Sequence, residues 1–340
     1  MAALAVLLTV PATGATAPVP AGGTGGGVAT FAAAAYRTIY YASSVDGANL
    51  SYLEWLPAGY SARNTYPLAV FLHGLGQSGS ELLTETQGPA TIANASAFGF
   101  VLISINTRTP AGFYVNSPYS GPQEQDVLDA IAHEESLRSI RSSAVFLFGT
   151  SMGSIGAWSI AGHHPSLFRG IGAIAECPEV YAANYWHFLY DKPGYRQYLT
   201  TTGGQGPKTA YFRAQTYYLD NVRYYPTNYS GLRLYAVQGS ADNRCPNNLA
   251  LFGYQQSNNT FLNSTCLVIS VWGQPANCQT PFANFSSLFP KLYPWRFVYE
   301  PGGLHSFNDL NPKDLFQFWT GKVPVGLYCA RMGQTPSACP

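Results

Sequence analysis

The sequence predicts an α/β fold with a mostly parallel central sheet, and three observations carry that expectation. The runs Leu68–Leu72, Phe100–Ile105 and Ala144–Phe148 are apolar nearly throughout, as strands are when helices cover both faces of a sheet. Segments with helical spacing lie between and after them. Two aromatic and β-branched stretches, Tyr36–Tyr41 and Leu50–Trp55, flank the turn dipeptide Asp46-Gly47 and read as an antiparallel hairpin leading into the sheet.

Taken in order, residues 1–35 form a leader and linker. Met1 to Val10 is apolar but too short to span a bilayer, and small residues follow at Ala15-Thr16-Ala17. This is the pattern of a secretory signal, although it lacks a positive n-region. Residues 11–35 are rich in Ala, Gly, Thr and Pro without hydrophobic periodicity, so folded structure is expected from Tyr36 and residues 36–340 are read as one domain. A helix is expected over Gln123–Leu137, with Val127, Leu128, Ile131 and Leu137 at helical spacing and Pro122 in a first-turn position. A second helix is expected over Ser154–His163. Later strands are expected at Gly170–Ala175, Leu232–Val237 and Arg296–Tyr299. Residues 178–230, crowded with Tyr, Phe and Trp, are too long for a simple crossover and read as an insertion before the Leu232 strand. Its aromatics either pack the insertion onto the domain or offer a surface to sugar or phenolic rings.

Composition excludes several classes. In the 340 residues 46% are hydrophobic, enough for a large core, and only 10% are charged with a net charge of +1. No basic stripe exists to neutralise a phosphate backbone, so nucleic acid is not an expected partner. The 6 cysteines, Cys177, Cys245, Cys266, Cys278, Cys329 and Cys339, form no CxxC pair and have no histidine at zinc-site spacing. Neither a metal nor an organic cofactor is expected. Structural disulfides are the better reading; short loops favour Cys266 with Cys278 and Cys329 with Cys339, leaving Cys177 and Cys245, with other connectivities open. Sequons at Asn94, Asn228, Asn258, Asn263 and Asn284 fit an exported chain.

Chemistry concentrates where strands end. Gly149-Thr150-Ser151-Met152-Gly153 follows the Ala144–Phe148 strand and opens a helix, the context that a G-x-S-x-G nucleophile turn requires. The glycines suit a sharp turn with strained backbone, and the helix start aims amide dipoles at charge developing on a substrate oxygen. A serine hydroxyl needs a histidine to take its proton and a carboxylate to orient that histidine. His305, in the loop Pro301 to Ser306 after the Arg296 strand, is the candidate; His163 and His164 close the helix away from its start, and His187 lies in the insertion. Asp242, in Gly239 to Pro246 after the Leu232 strand, is the candidate acid, with Glu176 and Glu179 as alternatives. Backbone N–H groups of Met152 and of Leu75, in His73-Gly74-Leu75-Gly76, are the expected oxyanion donors.

Tyr66 to Gly76, Gly149 to Gly153 with His164 to Phe168, Gly239 to Pro246 and Gly303-Leu304-His305 together resemble the α/β-hydrolase superfamily, and within it the secreted esterases related to esterase D, feruloyl esterases and poly(3-hydroxybutyrate) depolymerases. The resemblance implies carboxylic-ester hydrolysis through an acyl-enzyme, with Ser151, Asp242 and His305 as the triad, without fixing the ester; the leading expectation is a secreted serine esterase acting on acyl or aromatic esters, such as feruloyl or acetyl esters, or on polyesters. Tannase-type feruloyl esterases carry cysteines beside the serine and the histidine; Thr150 and Leu304 stand here, so that subgroup is disfavoured. If the strands before Cys177 and Cys245 are neighbours, as the fold implies, a disulfide there would tie the acid loop to the sheet edge. Two other readings stay open: a prolyl-oligopeptidase-like serine peptidase, and a non-catalytic cell-surface binding protein on a hydrolase scaffold.

Overall fold

The computed structural model describes residues 35–108, 116–117, 121–175, 226–229, 231–239, 242, 295–300, 302–323 and 326–329. The leader, nearly all of the insertion, Glu176, Glu179, His187 and every cysteine but Cys329 lie outside the described residues, as do Asn258, Asn263 and Asn284.

The hairpin forms as its sequence suggests. Strands β1 (Arg37–Ala42) and β2 (Asn49–Trp55) pair antiparallel around Gly47, whose φ of 73° lies in the left-handed region that glycine enters without penalty. Strands β3 (Tyr66–Leu72), β4 (Val101–Ile105), β7 (Ile140–Thr150), β8 (Gly170–Ile174), β9 (Arg233–Gly239), β10 (Trp295–Glu300) and β11 (Gly326–Cys329) complete a 9-stranded sheet in the order β1-β2-β4-β3-β7-β8-β9-β10-β11. From β4 to β11 all neighbours are parallel. Two short strands, β5 (Asn116–Ser117) and β6 (Gly121–Pro122), pair separately.

Alternation along the strands builds two cores. Leu68, Val70 and Leu72 of β3 face the side covered by α3 (Gln123–Leu137) and α4 (Met152–His163), where Val127, Ile131 and Trp158 are buried. Ala69 and Phe71 face the side covered by α1 (Glu81–Thr84), α2 (Gly88–Ala97) and α5 (Pro312–Trp319). Both faces being covered explains why these strands read as unbroken apolar runs. Helix α4 is buried from Met152 to Gly162, so it shows no polar face.

Some expectations shift. Strand β7 starts four residues before Ala144, because Arg141, Ser142 and Ser143 are exposed on the protruding end and carry no apolar signal. Helix α4 starts at Met152 rather than Ser154, immediately behind the turn. Pro122 occupies the N-cap of α3 rather than its first turn, and Leu137, expected on the apolar face, is 42% exposed at the last residue of that helix. In its place the inner side of α3 carries polar residues with partners: Glu134 accepts from the Tyr52 hydroxyl at 2.8 Å, and Asp126 pairs with Arg108 at 2.6 Å. Two sequon asparagines are engaged internally, Asn94 donating to the Ala90 carbonyl and Asn228 to that of Gly162.

Candidate active site

The four loops singled out in the sequence all leave the C-terminal ends of parallel strands, the edge where open α/β sheets bind ligands. Leu75 follows β3, Ser151 follows β7, Asp242 follows β9 and His305 follows β10. The strands bring them to one place: Leu72 of β3 lies opposite Gly149 of β7, and Gly239 of β9 opposite Glu300 of β10.

Ser151 sits between strand and helix with φ 55° and ψ −113°, a conformation that L-residues rarely adopt. The turn holds because its neighbours are fixed. Ser151 N–H donates to the Ile174 carbonyl at 2.9 Å, while its own carbonyl accepts from Ser154 and Ile155 as α4 begins. A Cβ on Gly153 would collide with the Leu72 carbonyl, and one on Gly149 would stand 2.5 Å from the Gly153 carbonyl carbon. Both positions therefore have to be glycine.

His305 bridges the other two groups. Its Nδ1 lies 2.8 Å from Asp242 Oδ2 and its Nε2 lies 2.7 Å from Ser151 Oγ. An ionised carboxylate only accepts, so Nδ1 carries the proton and Nε2 is left to accept from the serine hydroxyl. The Asp242 side chain is fully buried and that of His305 is 9% exposed, so this pair is shielded from bulk water, which strengthens charge-assisted bonds. The proposed hole is equally ordered. Met152 is the first residue of α4, and a helix offers no internal acceptor for its N–H. Buried His73 donates from Nδ1 to the Gly74 carbonyl at 2.8 Å, thereby fixing the peptide whose N–H belongs to Leu75. Burial lowers the pKa of His73 and keeps it neutral, so Nε2 accepts from the Thr107 hydroxyl at 2.9 Å.

Glu81 was not foreseen from the sequence. Its carboxylate, buried at the start of α1, accepts from Gly74 N–H at 2.7 Å, and burial pushes its pKa up to about 7 against the pull of that bond. A Glu in a Ser- and Gly-rich loop without periodicity carries no signal that it will turn inward. Two of the histidines set aside are occupied elsewhere: His163 Nδ1 and His164 Nε2 lie 2.8 and 3.0 Å from Oε1 of buried Glu124. Among the described residues no group of three or more His, Cys, Asp or Glu is arranged to hold a metal ion.

No protein-family model matches the chain, and no curated protein matches it by sequence. Solved structures do. An S-formylglutathione hydrolase from Agrobacterium tumefaciens superposes with a TM-score of 0.55 at 16% identity, covering 84% of this chain and 95% of its own. The chain has the α/β-hydrolase fold. A fluorophosphonate-binding serine hydrolase from Staphylococcus aureus shares that fold with a TM-score of 0.56 at 16% identity, over 85% of this chain and 98% of its own. A ferulic acid esterase matches at 0.53 and 13%, over 83% and 95%. The same α/β-hydrolase fold recurs in an acylaminoacyl peptidase from Pyrococcus horikoshii, at 0.51 and 13%, where 84% of this chain meets only 40% of the peptidase.

Proposed function

We propose that the protein is an exported serine carboxylic-ester hydrolase that works through an acyl-enzyme on acyl or aromatic esters, such as feruloyl or acetyl esters or polyesters. The observation that carries this reading is the hydrogen-bonded chain Ser151–His305–Asp242 on a strained turn at the head of α4. His305 Nε2 takes the Ser151 proton as Oγ attacks the ester carbonyl. The tetrahedral oxyanion is held by the N–H groups of Leu75 and Met152, where donors set in advance lower the barrier most. Collapse expels the alcohol, which receives the proton from His305. Water, deprotonated by the same nitrogen, then attacks the acyl carbon and releases the acid. Asp242 stays ionised throughout and stabilises the imidazolium.

Ester rather than peptide hydrolysis is favoured because the esterase neighbours are matched over almost their whole length and the peptidase over less than half. The leader and the small-residue stretch behind it support export. The test is a panel of acetyl, feruloyl, long-acyl and polyester substrates, run beside a peptide amide and a fluorophosphonate label. Ester turnover lost in Ser151→Ala, with labelling of Ser151 in the native chain, is the expected result. Absence of both labelling and turnover would favour a binding protein.

A further inference from the structure

Glu81 opens α1, and the turn that follows it reaches a second part of the site. Glu85 N–H donates to the Glu81 carbonyl at 3.0 Å, so residues 81–85 form one hydrogen-bonded turn. At its start, Glu81 Oε2 holds the Gly74 N–H of the loop that carries Leu75. At its far end, Asn308 makes two contacts across more than two hundred residues of sequence: its Nδ2 donates to Glu85 Oε2 at 3.0 Å and its Oδ1 accepts from Gln87 N–H at 3.1 Å. Asn308 follows His305 by three residues in the short helical turn Phe307–Asp309. Between these anchors, Phe307 is buried with its ring edge on Phe71 of β3, centroids 5.3 Å apart.

We infer that the Glu81–Gln87 turn is a strut that sets the separation between the Leu75 oxyanion donor and His305, with Glu81 and Asn308 as its two positioning residues. The inference rests on the esterase reading and names how that site is held. Neither residue touches the reacting atoms. Each fixes a loop that does, and an oxyanion donor displaced by a fraction of an ångström loses much of its effect on the transition state while ground-state binding is spared. The buried Glu81 side chain is suited to its end because a carboxyl oxygen accepts from Gly74 N–H whether or not the acid carries its proton. The exposed end is held by a two-point amide contact, which fixes orientation.

The test is a double-mutant cycle of Glu81→Ala and Asn308→Ala on ester hydrolysis, with rates normalised to active sites titrated by a fluorophosphonate. Expected are a kcat loss of about 10- to 30-fold for Glu81→Ala and about 3- to 10-fold for Asn308→Ala, KM nearly unchanged, in the range of couplings transmitted through packed elements. The double variant should resemble Glu81→Ala alone, because a strut freed at one end no longer transmits from the other. Glu81→Gln, which retains an acceptor for Gly74 N–H, should recover most of the loss. Should Glu81→Ala fail to fold, Glu81→Asp, drawn back by one methylene, replaces it in the same cycle. Losses that multiply independently, no recovery by Gln, or an unchanged kcat per titrated site would overturn the strut while leaving the esterase reading intact. A native chain that neither labels nor turns over esters overturns both.

Discussion

Ser151, His305 and Asp242 are joined in one hydrogen-bonded chain, and on the proposed esterase reading single substitutions in it are expected to rank accordingly. Ser151→Ala and His305→Ala should each lower kcat by about 10^6-fold, and combining them should cost little more, since members of such a unit are not additive. Asp242→Asn, which leaves the geometry but favours the wrong imidazole tautomer, should cost about 10^4-fold. Steady-state kinetics on a short p-nitrophenyl ester checks all three. These residues could be picked from sequence because each follows its own strand in the order serine, acid, histidine. Glu81, His73 and Thr107 could not be assigned, because what they do depends on which backbone group or side chain the folded loops set against them.

At the scale of elements, two features decide whether the site forms. Gly153→Ala would drive a methyl into the Leu72 carbonyl, so the turn must open. We expect a loss of about 3 kcal/mol or more in chemical denaturation, beyond ordinary overpacking, together with lost fluorophosphonate labelling. Helix α5 closes the other face. Its N-cap Asn311 accepts from Asp314 N–H at 3.2 Å, Asp314 accepts from Tyr235 and Arg296 of β9 and β10, and Trp319 stacks on Phe146 of β7 at 4.8 Å. Trp319→Ala should cost about 3–5 kcal/mol and Asn311→Ala about 1 kcal/mol. The strands β3, β4, β7 and β9 and helix α3 were legible because their apolar pattern follows from burial on both faces or on one. Helices α1 and α2 were not: Gly88, Pro89 and several Ala, Ser and Thr residues give α2 no clear stripe, and its packing against α5 supplies what propensity lacks.

Across the whole molecule, buried carboxylates give stability an unusual dependence on pH. Burial pushes Glu81 up to about 7, aided by Glu85, and pushes Glu134 up to about 7, aided by Glu54 beside it. An unfolded glutamate titrates near 4.5, so between about pH 4.5 and pH 7 the folded chain keeps protons that the unfolded chain has lost. Stability from these groups is therefore complete below pH 4.5 and declines as pH rises through 7, by at most about 1.4 kcal/mol per pH unit for each group. Asp46, held down to about 2 by Arg108, acts oppositely and only below about pH 4. Denaturant midpoints should therefore fall from pH 5 toward pH 7.5, and Glu134→Gln should flatten that slope; an unchanged slope would count against the burial assignment. The sequence by itself determined the α/β class, the places of β1 to β4 and β7 to β10 along the chain, though not of β5, β6 and β11, and the loops bearing Ser151, Asp242 and His305, because buried strands and turn residues leave a local imprint. Only the tertiary structure decided that the loops after β9 and β10 bring Asp242 to hydrogen-bond reach of His305, and His305 to reach of Ser151, and that Glu81 faces Gly74. Those are contacts between segments far apart in the chain, and no local pattern of residues encodes the distance between them.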